Sequence, residues 1–123
     1  MIKNIEGIII GSQNATKLAN FYKEKVGLKM YFEGVIGENS NIYMLEVKGA
    51  TFTIVDSSEV KGKNKEGERL MFKLQTDNVK KESARLKKNG VKVVSEVYMV
   101  EEYGYLATFQ DLDGNYFQLF QPL

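Results

Sequence analysis

The side chains of this sequence that could do chemistry are carboxylates, lysines and tyrosines. It has no histidine and no cysteine. Imidazole is the commonest metal ligand and the one side chain that titrates near neutral pH without help. Thiolate chemistry of every kind, from disulfides to Cys nucleophiles and iron–sulfur clusters, is also excluded. General acid–base work would fall to a Glu, a Lys or a Tyr, and nothing in the spacing of these residues selects a pair. The segment Asp111-Leu112-Asp113-Gly114-Asn115 has calcium-loop composition. An EF-hand, however, requires Gly at its sixth position and Glu at its twelfth, where this chain has Tyr116 and Pro122. The segment reads instead as a hairpin turn, with Asp and Asn bonding nearby backbone and Gly114 accepting positive φ. Gly34-Val35-Ile36-Gly37 lacks the Lys-Ser/Thr of a phosphate loop and opens no helix. Lys61, Lys63 and Lys65 are balanced in charge by Glu59, Glu66 and Glu68, which is the pattern of a solvated loop rather than a phosphate site.

The elements that must position these groups fit one ordinary domain of 123 residues. An apolar fraction of 43% against 27% charged residues is that of a packed core. With 17 basic and 16 acidic residues there is no global field to attract nucleic acid or an anionic membrane. The longest early apolar run, Ile8-Ile9-Ile10, is far too short for a signal or a span, so a cytoplasmic protein is expected.

Residues 2–11 read as a strand and 14–26 as an amphipathic helix. Ala15, Leu18, Ala19, Tyr22 and Val26 share one helix face, Asn14 or Ser12 serves as cap, and Gly27 follows the last turn. Strands follow over 28–33, 41–48 and 50–56. Residues 57–68 read as a solvated linker. The pattern then repeats, with a strand over 69–75, a helix over 78–89 capped by Asp77 and ended by Gly90, and strands over 91–99, 104–110 and 115–121. Asn14 to Asp77 and Gly27 to Gly90 are equally spaced, so the chain is two copies of strand–helix–strand–strand–strand. The expected fold is α+β: module one over 1–56, the linker over 57–68, and module two over 69–123. The two βαβββ modules would form a curved, partly open, barrel-like sheet with its helices outside. A helix buries only one face of such a sheet, and the helix-free faces are where a ligand would lie.

This repeat resembles the vicinal oxygen chelate superfamily, which includes glyoxalase I, extradiol dioxygenases, and fosfomycin- and bleomycin-resistance proteins. Three stretches contain the match: Ala19-Asn20-Phe21-Tyr22 with Val26-Gly27-Leu28, Asp77 with Asn89-Gly90-Val91, and Phe109 to Leu119 around Asp111-Leu112-Asp113-Gly114-Asn115. The resemblance implies a metal between the modules, with ligands from the first and fourth strand of each. Those positions fall on Gly7, Thr53 (to within a residue or two), Met71 and Gln118. Zn, Mn, Ni or Fe sites want imidazole and carboxylate, so no metal and no cofactor is expected. A one-residue slip to Glu6 would turn Ile8 and Ile10 away from the helix.

If those four positions face the cleft, so do their period-2 neighbours. The candidate ligand-binding set is Gly7, Ile9, Met44, Glu46, Thr53, Met71, Lys73, Leu106, Thr108, Tyr116 and Gln118. Thr51, Val55, Arg69 and Phe120 are further neighbours. Glu46 pairs with Lys73 or Arg69, meets solvent, or meets a ligand. Tyr103 and Tyr105 flank Gly104 as a lid or as ordinary surface aromatics. Two functions stay open. One is a metal-independent protein that sequesters or carries a small organic molecule in the cleft between the modules. The other is a lyase, isomerase or dioxygenase-like enzyme using a displaced metal or Glu/Lys/Tyr acid–base chemistry. A homodimer is expected, partly from the resemblance and partly because open sheets need covering.

Overall fold

A computed structural model describes all residues, Met1–Leu123. The chain divides into two compact units, Met1–Gly62 and Lys63–Leu123. The first unit contains β1 (Gly7–Ser12), α1 (Ala15–Phe21) continued by a π-helical turn (Tyr22–Val26), β2 (Met30–Ile36), β3 (Ser40–Val47) and β4 (Ala50–Asp56). The second contains β5 (Phe72–Gln75), α2 (Val79–Lys88), β6 (Lys92–Val100), β7 (Gly104–Gln110) and β8 (Tyr116–Pro122). Each unit is βαβββ, and each forms a four-stranded mixed sheet. The strand orders are β1-β4-β3-β2 and β5-β8-β7-β6, with the outer pairs β1–β4 and β5–β8 parallel. The fold is α+β with open sheets, as the repeated pattern implies. No helix is long and apolar enough to cross a membrane.

Burial follows the periodicities. Ala15, Leu18, Ala19, Tyr22 and Val26 are all buried, and α1 packs them against Tyr43, Leu45, Phe52 and Ile54 of its own sheet. Tyr22 meets Phe52 edge-on at 5.1 Å. In the second unit Val79 and Leu86 of α2 share a core with Phe109 and Phe117, whose rings stack at 5.9 Å. Each large side chain buried this way contributes roughly 1.5–3 kcal/mol before entropy is counted.

The helix entries are built alike. Ser12 Oγ accepts from the Asn14 amide, Asn14 Oδ1 from the Lys17 amide, and Asp56 Oδ1 from the Ala15 amide. In the second unit Thr76 Oγ1 accepts from Asn78, Asn78 Oδ1 from Lys81, and Gln121 Oε1 from Val79. The cap of α2 is therefore Asn78 and not Asp77, because Thr76 and Gln121 fix the entry one residue later. That shortens the distance from cap to terminal glycine by one residue relative to α1. The π-turn absorbs the extra residue of the first helix: the Gly27 amide reaches back to the Tyr22 carbonyl at 2.9 Å. Gly27 and Gly90 both take the left-handed conformation at φ 94° and 82°.

Two strands are shorter than their sequences suggest. β1 begins at Gly7 because its partner β4 begins at Ala50, which leaves Ile2 and Ile5 exposed. β5 begins at Phe72, paired with Phe117, so Leu70 and Met71 precede it. The segment 57–68 is anchored at several points. The Gly62 amide donates to Gln13 Oε1, the Asn64 amide to the Asp113 carbonyl, and Asn64 Nδ2 to Asn115 Oδ1. Asp111, buried, closes the adjoining turn by accepting from the amides of Asp113 and Asn115 and from Asn115 Nδ2.

Candidate functional site

The helix covers one face of each sheet, and strand pairing defines what stands on the other. In the first unit one row runs across all four strands: Ile9 beside Thr53, Thr53 beside Met44, Met44 beside Phe32. The row has no charge. Ile9 is 74% exposed and Phe32 47%. Thr53 is buried, and Met44 is half-buried with its sulfur 3.8 Å from the Tyr31 hydroxyl. The next row holds Gly7, Thr51 and Glu46. Glu46 is exposed. Thr51 donates its hydroxyl proton to Glu6 Oε1 at 2.9 Å.

The corresponding row of the second unit is polar: Lys73 beside Gln118, Gln118 beside Thr108, Thr108 beside Ser95. Gln118 Nε2 donates to Thr108 Oγ1 at 3.0 Å. The next row has an apolar centre, with Phe120 between Gln75 and Leu106, and Tyr98 beyond. Tyr103, on the β6–β7 turn, stacks on Phe120 with ring centroids 4.7 Å apart. Lys73 Nζ donates to the Tyr103 hydroxyl and lies 4.9 Å from the Tyr103 ring centroid and 5.1 Å from that of Phe120.

Ile9, Met44 and Thr53 share the first row, and Lys73, Thr108 and Gln118 share the second, with Leu106 one row away. Tyr116 is on the same face as Gln118, but Gly67 packs so closely on its ring that a Cβ there would be 2.3 Å from Cδ1. Arg69 is held by Glu66 in a turn ahead of β5. Phe32, Ser95 and Tyr98 escaped the period-2 reading. Register shifts between Met30 and Phe32, and on either side of Ser95, break the alternation that would have shown them.

The four positions that the family resemblance assigns to metal can be tested on this geometry. Gly7 has no side chain, and a Cβ there would be 2.0 Å from Thr51 Oγ1 and 2.5 Å from the Thr51 carbonyl oxygen. The residue beside Thr53 is Ile9, and the residue beside Gln118 is Lys73. Met71 precedes its strand. No three His, Cys, Asp or Glu side chains gather anywhere as a metal site would require. A hydroxyl, an amide, an isoleucine and an ammonium do not suit a divalent transition metal, and the ammonium opposes one.

Comparison with known proteins agrees with this architecture. The antibiotic binding protein TnmS3 from Streptomyces sp. CB03234 superposes with a TM-score of 0.77 at 26% identity, over 99% of this chain and 98% of that one. The genomically encoded fosfomycin resistance protein FosX from Listeria monocytogenes gives 0.74 at 19% identity, over 100% and 94%. The uncharacterized protein YetH of Bacillus subtilis (strain 168) is 26% identical over 119 residues, which is 97% of this chain and 98% of YetH. Residues 5–119 match the family model of the Glyoxalase/Bleomycin resistance protein/Dioxygenase superfamily. The paired βαβββ units and the family match lead to one assignment: the chain belongs to the glyoxalase/bleomycin resistance protein/dioxygenase superfamily.

Proposed function

We propose that this protein binds a small organic molecule on the helix-free faces of its sheets, without a metal, and so sequesters or carries it. The observation behind this reading is the row Ile9–Thr53–Met44–Phe32. It is an uncharged surface, partly exposed, on the face that no helix covers. Apolar linings with a few polar anchors are what organic ligands select, and Met adds adaptability. The likeness to TnmS3, itself an antibiotic binding protein, points the same way. Thermal-shift screening of an aromatic small-molecule library tests the proposal. A binder at 100 times its dissociation constant stabilises the fold by roughly 2.7 kcal/mol, and a library that produces no shift contradicts a binding role.

The enzyme reading has one observation on its side, the Lys73 ammonium bonded to the Tyr103 hydroxyl. Recovery of the bound compound unchanged after prolonged incubation separates binding from turnover. Pairing of two copies in the cytoplasm belongs to the same proposal. The edge strands β2 and β6 expose Tyr31, Val35 and Ile36, and Tyr98 and Met99, which are surfaces that pairing covers. Sedimentation velocity should then give twice the 14.0 kDa chain mass, and a monomer at micromolar concentration would refute it.

A further inference from the structure

We infer that the ligand is an anionic aromatic compound, with its acidic group at Lys73 and its ring system against Tyr103 and Phe120. This rests on the binding role proposed above and adds the charge and shape of the molecule. Lys73 is the one cation in the row Lys73–Gln118–Thr108–Ser95. It takes part in no ion pair, whereas Arg69, Arg85 and Lys87 of the same unit each hold a glutamate. Its neighbours are neutral: the Tyr103 hydroxyl, the two rings, and the Gln118 amide across the ladder. An ammonium has three protons to donate, and the phenol takes one. The other two have no acceptor within the protein and are free for a carboxylate or sulfonate. The ring faces steady the cation, while stacked aromatics present a flat apolar wall.

The wall is built into the backbone. Glu102, at φ 64°, is the one non-glycine residue with positive φ, and Gly104 follows at φ 156°. The Tyr103 amide bonds the Val100 carbonyl, which completes the tight turn that sets the Tyr103 ring on Phe120. At Gly104 a Cβ would strike the Gln121 carbonyl oxygen at 2.2 Å, so the turn can approach β8 this closely only with glycine there. Gln118 lies beside Lys73 with one amide proton given to Thr108, which leaves its carbonyl oxygen to accept from a ligand hydroxyl or N–H.

The test uses two fluorescent probes that share one aromatic body. 8-Anilinonaphthalene-1-sulfonate has the anion and N-phenyl-1-naphthylamine lacks it. The sulfonate should bind the full-length protein about tenfold more tightly, the size of one charge-assisted hydrogen bond. Lys73→Met should abolish that preference, and Lys73→Arg should keep it. Equal binding of the two probes, or a preference that survives in Lys73→Met, overturns the anionic assignment and leaves the binding role intact. Failure of both probes to bind overturns both.

Discussion

The two units share a fold and differ in what they display on the face away from the helix. The first offers Ile9, Thr53, Met44 and Phe32, without charge. The second offers Lys73, Gln118, Thr108 and Ser95, with the Tyr103–Phe120 stack alongside. Duplicated backbones have thus been given unlike surfaces, one suited to dispersion contact and one to orienting a polar group. The contrast extends to the family's metal positions. In the first unit Gly7 is locked by Thr51; in the second Met71 is exposed, ahead of its strand. What the units keep in common is the machinery that starts each helix.

The largest expected effect separates Gly7 from Met71. Gly7→Ala places a Cβ against a backbone carbonyl that cannot move without β4, and should cost about 3 kcal/mol. Met71→Ala, at 39% exposure, should change stability by no more than about 0.5 kcal/mol. Chemical denaturation of both variants measures the difference, and equal losses would show that the two positions are not distinct. Next come the helix entries. Asp56 accepts from the Ala15 amide with one oxygen and from the Asn41 amide with the other, tying α1 to β3. Gln121 accepts only from Val79 in the hydrogen bonds it makes through Oε1. Asp56→Ala should cost about 2–3 kcal/mol and Gln121→Ala about 1 kcal/mol. Parity would mean that charge adds nothing at the first helix. The smallest effect is at Glu102, where Gly removes the left-handed strain and should stabilise the fold by about 0.5 kcal/mol. It should also weaken aromatic-probe binding by freeing Tyr103. A loss of stability would contradict the strain argument.

Much of this architecture could be read from sequence because duplication supplies an internal control. The helix face Ala15–Leu18–Ala19–Tyr22–Val26, the left-handed Gly27 and Gly90, and the hairpin at Asp111–Asn115 each follow from local chemistry. The errors lie where local signals compete with tertiary partners. Asp77 is as good a cap as Asn78 in isolation, and it is Thr76 and Gln121 that decide between them. Ile2 and Ile5 have strand propensity but no strand opposite them. Of the candidate site residues, strand pairing sets Ile9, Thr53, Met44, Lys73, Thr108 and Gln118 on the helix-free faces, where alternation puts them. Alternation fails for Phe32, Ser95 and Tyr98, where bulges shift the phase. Gly67 on the Tyr116 ring is a contact between residues far apart in the chain, and periodicity holds no trace of it.

The central claim is that the faces without helices receive an organic molecule, and methyl NMR tests it most directly. In a titration with 8-anilinonaphthalene-1-sulfonate, the methyl signals of Ile9, Met44 and Leu106 should move. Those of Ile54, Leu45 and Leu119, on the helix-covered faces of the same sheets, should stay fixed. Shifts confined to Ile54, Leu45 and Leu119, or no shifts at saturating probe, would contradict it.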